Sequence, residues 1–329
     1  MRERDIRPDA EFQEYLRLSA EDAADLLGRA GEFVEVVCPA CEEDRAVEVF
    51  VKDGFHFREC AACGSIYASP RPTADLLHAF YADSRSSAFW AEVFWPAIAD
   101  SRLEHVIRPR VAAILRHARL SSLGEDLVAV DVGAGAGAFL AELREQSPSR
   151  IRVVAIEPGK SLAAQARARG LEVFEMSVED PTAPQALGDL VTTFEVIEHV
   201  FNPLDFVRSI HRVTAESGLV LCTGLGGDGL DIRVLRERAS AVSVPHHLNF
   251  LSVRGLRTLF ERAGFVDVAV ETPGQLDVEL VAKGMAAGVE IPDFLRVLLA
   301  ERGSEVHAAF QRFLVDARLS SHTWVWATR

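Results

Sequence analysis

The chain has 329 residues, 49% of them apolar, which is enough for one large domain plus a smaller one. Its formal net charge of −14, from 49 acidic and 35 basic residues, opposes long-range attraction to nucleic acid or an anionic membrane. No apolar run reaches the ~18–20 residues of a bilayer span, and no apolar signal core follows the charged N-terminus, so a cytoplasmic protein is expected.

Residues 9–30 carry apolar side chains at helical spacing (Phe12, Leu16, Leu18, Leu26, Leu27), with Gly31 as the predicted stop. Two cysteine pairs follow, Cys38-Pro-Ala-Cys41 and Cys60-Ala-Ala-Cys63, with 18 residues between them. Val47, Val49 and Val51 alternate before an Asp53-Gly54 turn, and Phe55 and Phe57 alternate after it, which predicts a β-hairpin. Each Cys-x-x-Cys can curl into a knuckle presenting two thiolates, and the hairpin brings the knuckles together as a tetrahedral set of four sulfurs. The spacing suits a four-cysteine zinc site on Cys38, Cys41, Cys60 and Cys63. Four protein ligands leave no open position, so one structural zinc per chain is expected. Six acids against four basic residues over 38–72 make this ribbon a poor phosphate clamp. Stabilising the N-terminal region, or forming one wall of a substrate cleft, is the expected role. Cys222 stands alone on a predicted buried strand and reads as a small apolar residue.

Ser69-Pro-Arg-Pro-Thr73 breaks regular structure, and Thr73 is placed to cap a helix over Ala74–Tyr81. A helical stretch from about Ser86 to Leu120 is predicted with interruptions near Pro96 and Pro109. Its Trp90, Phe94 and Trp95 suit either a core or an apolar lid. From Asp126 short apolar strands alternate with helical patterns: Leu127–Val132, Val153–Ile156, Glu172–Met176, Leu190–Phe194 and Gly218–Thr223. A helix over Leu256–Ala263, a strand over Val266–Val270, helical segments over about 280–300 and 303–317, and a closing strand His322–Ala327 complete the chain. The alternation predicts an α/β fold with a parallel sheet covered by helices on both faces. Four parts are expected: a helical segment 1–33, the ribbon 34–72, a helical linker or lid 73–124, and the sheet domain 125–329.

Asp131-Val-Gly133-Ala-Gly135-Ala-Gly137 stands where the first strand gives way to a helix, so the backbone can pass close to a ligand. The same pattern satisfies a loose dinucleotide fingerprint. Asp131, at the strand end, is in reach of a cationic amino-acid group. Glu157, ending the second strand in Ile156-Glu157-Pro158, suits the two hydroxyls of a ribose.

The Asp-Val-Gly-Ala-Gly-Ala-Gly loop, Ala-Ile-Glu-Pro, Phe194-Glu-Val-Ile-Glu-His-Val200 and Pro245-His-His-Leu-Asn-Phe-Leu-Ser252 together resemble class I S-adenosylmethionine-dependent methyltransferases. Ubiquinone-type enzymes and bacterial sugar and natural-product methyltransferases are the most similar group. The resemblance covers about 125–270, and the four-cysteine ribbon resembles the front end of some bacterial members. It implies a Rossmann-like seven-stranded sheet and S-adenosylmethionine as cofactor. It further implies that Gly133, Ala134 and Gly135, with Asp131 nearby, line the methionine part. Glu157 would hold the ribose and Pro158 border the adenine. Ser177, Val178 and Glu179 would lie near the adenine edge, and Glu195 beside the methionine or the transferring methyl. Family members commonly carry Asp where Ser177 stands.

Methyl transfer from a sulfonium is an in-line displacement, and a hydroxyl acceptor must lose its proton as the bond forms. Histidine suits that task, and His199, His246 and His247 are the candidates, His199 first. The expected partner is a small-molecule acceptor, a hydroxyl of a sugar or natural-product intermediate. A zinc-ribbon RNA methyltransferase is opposed by the acidic charge. A nicotinamide oxidoreductase or epimerase would share the glycine turn, but Tyr15, Tyr67 and Tyr81 all lack a lysine four residues on. A non-catalytic scaffold of the same fold is the remaining alternative.

Overall fold

Eleven strands build two sheets in the computed structural model, which describes residues 2–117, 120, 126–147 and 151–329. In chain order they are β1 Ala46–Lys52, β2 Phe55–Cys60, β3 Ile66–Ala68, β4 Leu127–Val132, β5 Ile151–Ile156, β6 Glu172–Phe174, β7 Gly188–Phe194, β8 Thr214–Leu225, β9 Asn249–Phe250, β10 Val266–Glu271 and β11 His322–Thr328. The large sheet has the order β10-β11-β8-β7-β4-β5-β6. Its strands β4 to β8 pair in parallel, and β11 runs antiparallel to both β8 and β10. Ala129, Val130 and Val132 of central β4 are all buried, as both-sided helix cover requires. The strand order reverses between β4 and β7. In open sheets of this kind ligands bind beyond the carboxyl ends of the strands at that reversal.

The small sheet, β1-β2-β3-β9, contains the hairpin expected between the cysteine pairs. Asp53 and Gly54 both take positive φ (45° and 82°), the conformation of a tight two-residue turn. Its fourth strand comes from the far side of the chain: Ile66 faces Phe250 and Tyr67 faces Asn249. Fully buried Arg71 donates to the carbonyls of Ala68 (2.8 Å) and Phe201 (3.1 Å) and to Asn249 Oδ1 (3.0 Å). Cys38, Cys60 and Cys63 pack in one apolar cluster with Ile197, Leu256 and the sheet residue Val132. The ribbon and the large sheet therefore share a core.

The helix Asp9–Leu27 buries Phe12 and Tyr15 against Phe94 and Ile98, so Phe94 is core. The stretch expected to break near its prolines continues instead. Wide turns at Trp90–Phe94 and Leu103–Ile107 precede Pro96 and Pro109, each of which sits in the first turn of the next α-helical segment. A first-turn proline forfeits no intrahelical hydrogen bond, and the wide turn absorbs its ring. This helical run ends at Arg116; residues 118 and 119 of the expected stretch, and the 124/125 boundary, lie outside the described residues. Thr73 caps Ala74–Asp83 through Leu76 N, and Ser252 caps Val253–Arg262 through Gly255 N. The helix expected over 280–300 is two, Asp277–Ala286 and Asp293–Glu301, because Gly288 at φ 87° and Pro292 interrupt it. Among the described residues no helix is long and apolar enough to cross a membrane.

Candidate active site and cysteine cluster

The two loops of the strand-order reversal touch. Gly133 follows β4 with φ 72°, and a Cβ there would lie 2.6 Å from Val196 Cγ2 in the loop after β7, so only glycine fits. Gly135, at φ 55°, faces open space, a cradle for a ligand lying along the backbone. Ala134 lies between them, partly buried. Gly135 N and Gly159 N each donate to the Glu157 carboxylate at 2.8 Å, one to each oxygen. Burial raises the Glu157 carboxyl, and the two backbone bonds oppose that rise. Each oxygen keeps a lone pair for a hydroxyl donor. Asp131 is buried below the loop, where it accepts from Thr192 Oγ1 at 2.7 Å and so ties β4 to β7. Burial pushes its carboxyl up to about 7 against the pull of Thr192 and Arg110. Val178 is buried, Pro158 and Glu179 are exposed, and the Ser177 hydroxyl is bonded to Glu179. A cleft of about 230 Å³ runs beside the loop between Trp95, Pro96, Ala99, Ile107, Ala136, Ala138, Gln165 and Arg169. A larger one of about 360 Å³, along Arg233–Arg238 and Val289–Pro292, holds none of the candidate residues.

Glu195 directly follows β7, at φ 55°. Its Oε1 accepts from Arg110 (2.6 Å), Thr223 Oγ1 (2.7 Å) and His322 Nε2 (3.0 Å). Arg110 reaches in from the helix Arg108–Arg116 and lies 4.7 Å over the Phe194 ring. Burial works to raise the Glu195 carboxyl, but the His322 and Arg110 charges outweigh it and hold it well below the usual range. Three residues on, buried Glu198 has the opposite fate: burial first, and the Glu195 charge second, push it well above that range. Its Oε2 has no hydrogen-bond partner among the described residues.

His199 is half-buried at the end of the same loop, its Nδ1 2.9 Å from the Tyr81 hydroxyl. One ring nitrogen each of His199 and His247 and a carboxylate oxygen of Glu198 lie within 4.8 Å of one another. His247 Nδ1 donates to the Ala241 carbonyl at 2.6 Å, so its Nε2 carries the lone pair. Burial holds His199 well below 6.5 and brings His247 to about 4, so both rings are neutral. His246 is engaged elsewhere. Ser86 Oγ gives its proton to Asp22 Oδ2 (2.6 Å), so at 2.9 Å it accepts from His246 Nε2–H. That chain binds the two N-terminal helical elements to the His246 loop. His199 and His247 thus come together, and His246 points away into the cap.

Sequence reasoning missed Arg110, Tyr81, Glu198 and His322 as members of this cluster. Glu198 stands inside the Phe194–Val200 motif, whose second acid is the signal for it. Arg110 and Tyr81 come from distant elements with no motif around them, and His322 from the closing strand, whose pattern resembles the family's last strand without marking the histidine.

The four clustered cysteine sulfurs also lie within 4.8 Å of one another, with Cys38–Cys63 and Cys41–Cys60 both at 3.5 Å. Zinc–sulfur bonds of about 2.3 Å set sulfurs about 3.8 Å apart, so the donor set fits a tetrahedral ion. The hydrogen bond from Cys38, with help from Ser65, draws the Cys63 thiol down to about 4 against the effect of burial. Cys222 is buried on β8 and is not one of the four converging sulfurs.

A sheet of this order, with a glycine loop after its first strand and an acid closing its second, is the Rossmann-like architecture of class I methyltransferases. Residues 102–270 match the model of a methyltransferase-domain family, and the chain belongs to that family. A Mycobacterium tuberculosis (strain ATCC 25618 / H37Rv) protein described as a probable S-adenosylmethionine-dependent methyltransferase is 31% identical over 121 residues, 36% of this chain and 42% of that protein. The ubiquinone biosynthesis O-methyltransferase of a Caulobacter species (strain K31) is 28% identical over 155 residues, 43% of this chain and 61% of that enzyme. The chain thus spans less than two thirds of the length of either relative. A crystal structure of a SAM-dependent methyltransferase from Archaeoglobus fulgidus covers 71% of this chain and 100% of its own, at 12% identity and a TM-score of 0.46.

Proposed function

We propose that the protein transfers a methyl group from S-adenosylmethionine to a hydroxyl of a small-molecule acceptor, a sugar or natural-product intermediate. The observation that carries this reading is the cluster of Glu198, His199 and His247, in which one ring nitrogen of each neutral imidazole and one Glu198 carboxyl oxygen converge. The lone pairs of two neutral imidazoles beside the strand-order reversal suit a hydroxyl that arrives with a proton to give. His199 takes that proton in this account, and His247 orients the hydroxyl. Bound S-adenosylmethionine would supply an electrophilic methyl on a positively charged sulfur. The residues that would hold it are Gly133, Ala134 and Gly135 along the methionine, Glu157 at the ribose, and Pro158, Ser177, Val178 and Glu179 near the adenine. Asp131 braces the loop from below, and the Glu195–Arg110 pair offers both charges to the amino-acid end. The four cysteines would hold one structural zinc that stiffens the β3–β9 junction.

The test is turnover. General-base catalysis typically contributes ~10²–10⁴-fold, so His199→Ala should lower kcat by about that factor and leave S-adenosylhomocysteine affinity intact. His199→Asn, which cannot take the proton, should be equally slow. Full activity in both variants would remove His199 from the chemistry.

A further inference from the structure

We propose that Tyr81 is a positioning residue that holds His199 in the tautomer with its proton on Nδ1, leaving Nε2 bare; the use made of that bare nitrogen rests on reading His199 as the base. Tyr81 sits near the end of the helix Ala74–Asp83, 118 residues before His199 in the chain. Its hydroxyl lies 2.9 Å from His199 Nδ1 and 3.2 Å from the His246 carbonyl oxygen. A carbonyl oxygen can only accept, and a phenol has one proton. The Tyr81 proton therefore goes to the His246 carbonyl, and the phenolic oxygen is left to accept. The donor that satisfies it is His199 Nδ1–H. Proton occupancy at one ring nitrogen of a neutral imidazole empties the other, so Nε2 carries the lone pair.

Two features hold the tyrosine in place. Its ring packs edge-on against Phe80, 5.2 Å away, and against the His246 ring at 5.7 Å. The His246 ring is itself fixed through Ser86 and Asp22. The N-terminal helical region thus reaches the catalytic loop by two routes, one ending on the His246 side chain and the other on His199 Nδ1. In the reaction the hydroxyl O–H bond breaks and its proton passes to His199 Nε2. Bound S-adenosylmethionine would supply the methyl carbon to that oxygen and keep the carbon–sulfur electron pair, so that a methyl ether, a neutral thioether and the His199 imidazolium would result. The Tyr81 oxygen continues to accept from Nδ1–H in that imidazolium, so the geometry that selects the tautomer also suits the product of proton transfer.

The experiment reads the tautomer directly, by long-range proton–nitrogen correlation NMR on histidine-labelled full-length protein at pH 7.5 without added ligand. His199→Gln assigns the signal. The wild type should show His199 protonated on Nδ1. Tyr81→Phe keeps the ring and removes the oxygen, and should shift the tautomer ratio toward Nε2–H by roughly fivefold, the loss of one neutral hydrogen bond. An unchanged ratio in a folded Tyr81→Phe variant would overturn the proposal. So would a wild type protonated mainly on Nε2, a result that needs no variant to fold. The base reading fails separately: a His199→Gln protein that methylates at the wild-type rate would end it while leaving the tautomer result standing.

Discussion

Replacing Ser252 with alanine should weaken the junction between the ribbon and the sheet domain without touching the cofactor loop. The Ser252 hydroxyl donates to the Cys63 carbonyl at 2.6 Å and accepts from Gly255 N at 2.9 Å as the cap of the helix Val253–Arg262. Loss of a helix cap costs about 1 kcal/mol. A buried carbonyl left without its donor adds about 1–3 kcal/mol. The sum, about 2–4 kcal/mol, is a large fraction of the ~5–15 kcal/mol that holds a typical domain. Urea unfolding followed by tryptophan fluorescence would measure it, alongside the rate at which a chelator strips metal from the cysteines. The variant should unfold at lower urea and release metal faster, while S-adenosylhomocysteine affinity stays within a factor of two or so. A loss below about 0.5 kcal/mol with unchanged release would refute the shared junction.

Elemental analysis should find one zinc per chain, and changing any one of Cys38, Cys41, Cys60 or Cys63 to serine should abolish it; folded, reduced protein free of metal would defeat the zinc proposal. Burial, with His247 a lesser cause, lowers His246 from 6.5 to about 3, so below pH 6.5 the unfolded chain binds a proton the folded chain refuses. That group's stability is therefore fully present above about pH 6.5 and is lost as pH falls toward about 3, at up to ~1.4 kcal/mol per pH unit. His246→Gln should flatten the urea-midpoint profile between pH 6 and 4 by about that slope, and an identical profile would show that His246 is accessible to protons in the fold.

The large sheet was legible because its strands are apolar runs bounded by turn residues, and because the glycine loop and Glu157 mark two strand ends. The hairpin was equally plain from Asp53-Gly54 and its flanking alternation. The wide turns before Pro96 and Pro109 were not, since proline ordinarily breaks a helix and only tertiary packing shows that this one runs on. Strand β9 is two residues long and pairs with β3, so no local pattern announces it, and with it the shared core went unseen. The site followed the same division. Asp131, Glu157 and Glu195 stand at or next to strand ends, and His199 in the loop after β7, where motif position reads directly. Their partners Arg110, Tyr81 and His322 are supplied by the cap and the last strand, and separation in sequence hides such contacts.

Calorimetric titration with S-adenosylhomocysteine, S-adenosylmethionine and NAD tests the central claim most directly. Both adenosyl ligands should bind, and NAD far more weakly. Glu157→Ala should lose one or two charge-assisted hydrogen bonds of ~1.5–3 kcal/mol each. Tighter binding of NAD, or adenosyl affinity indifferent to Glu157, would contradict the claim.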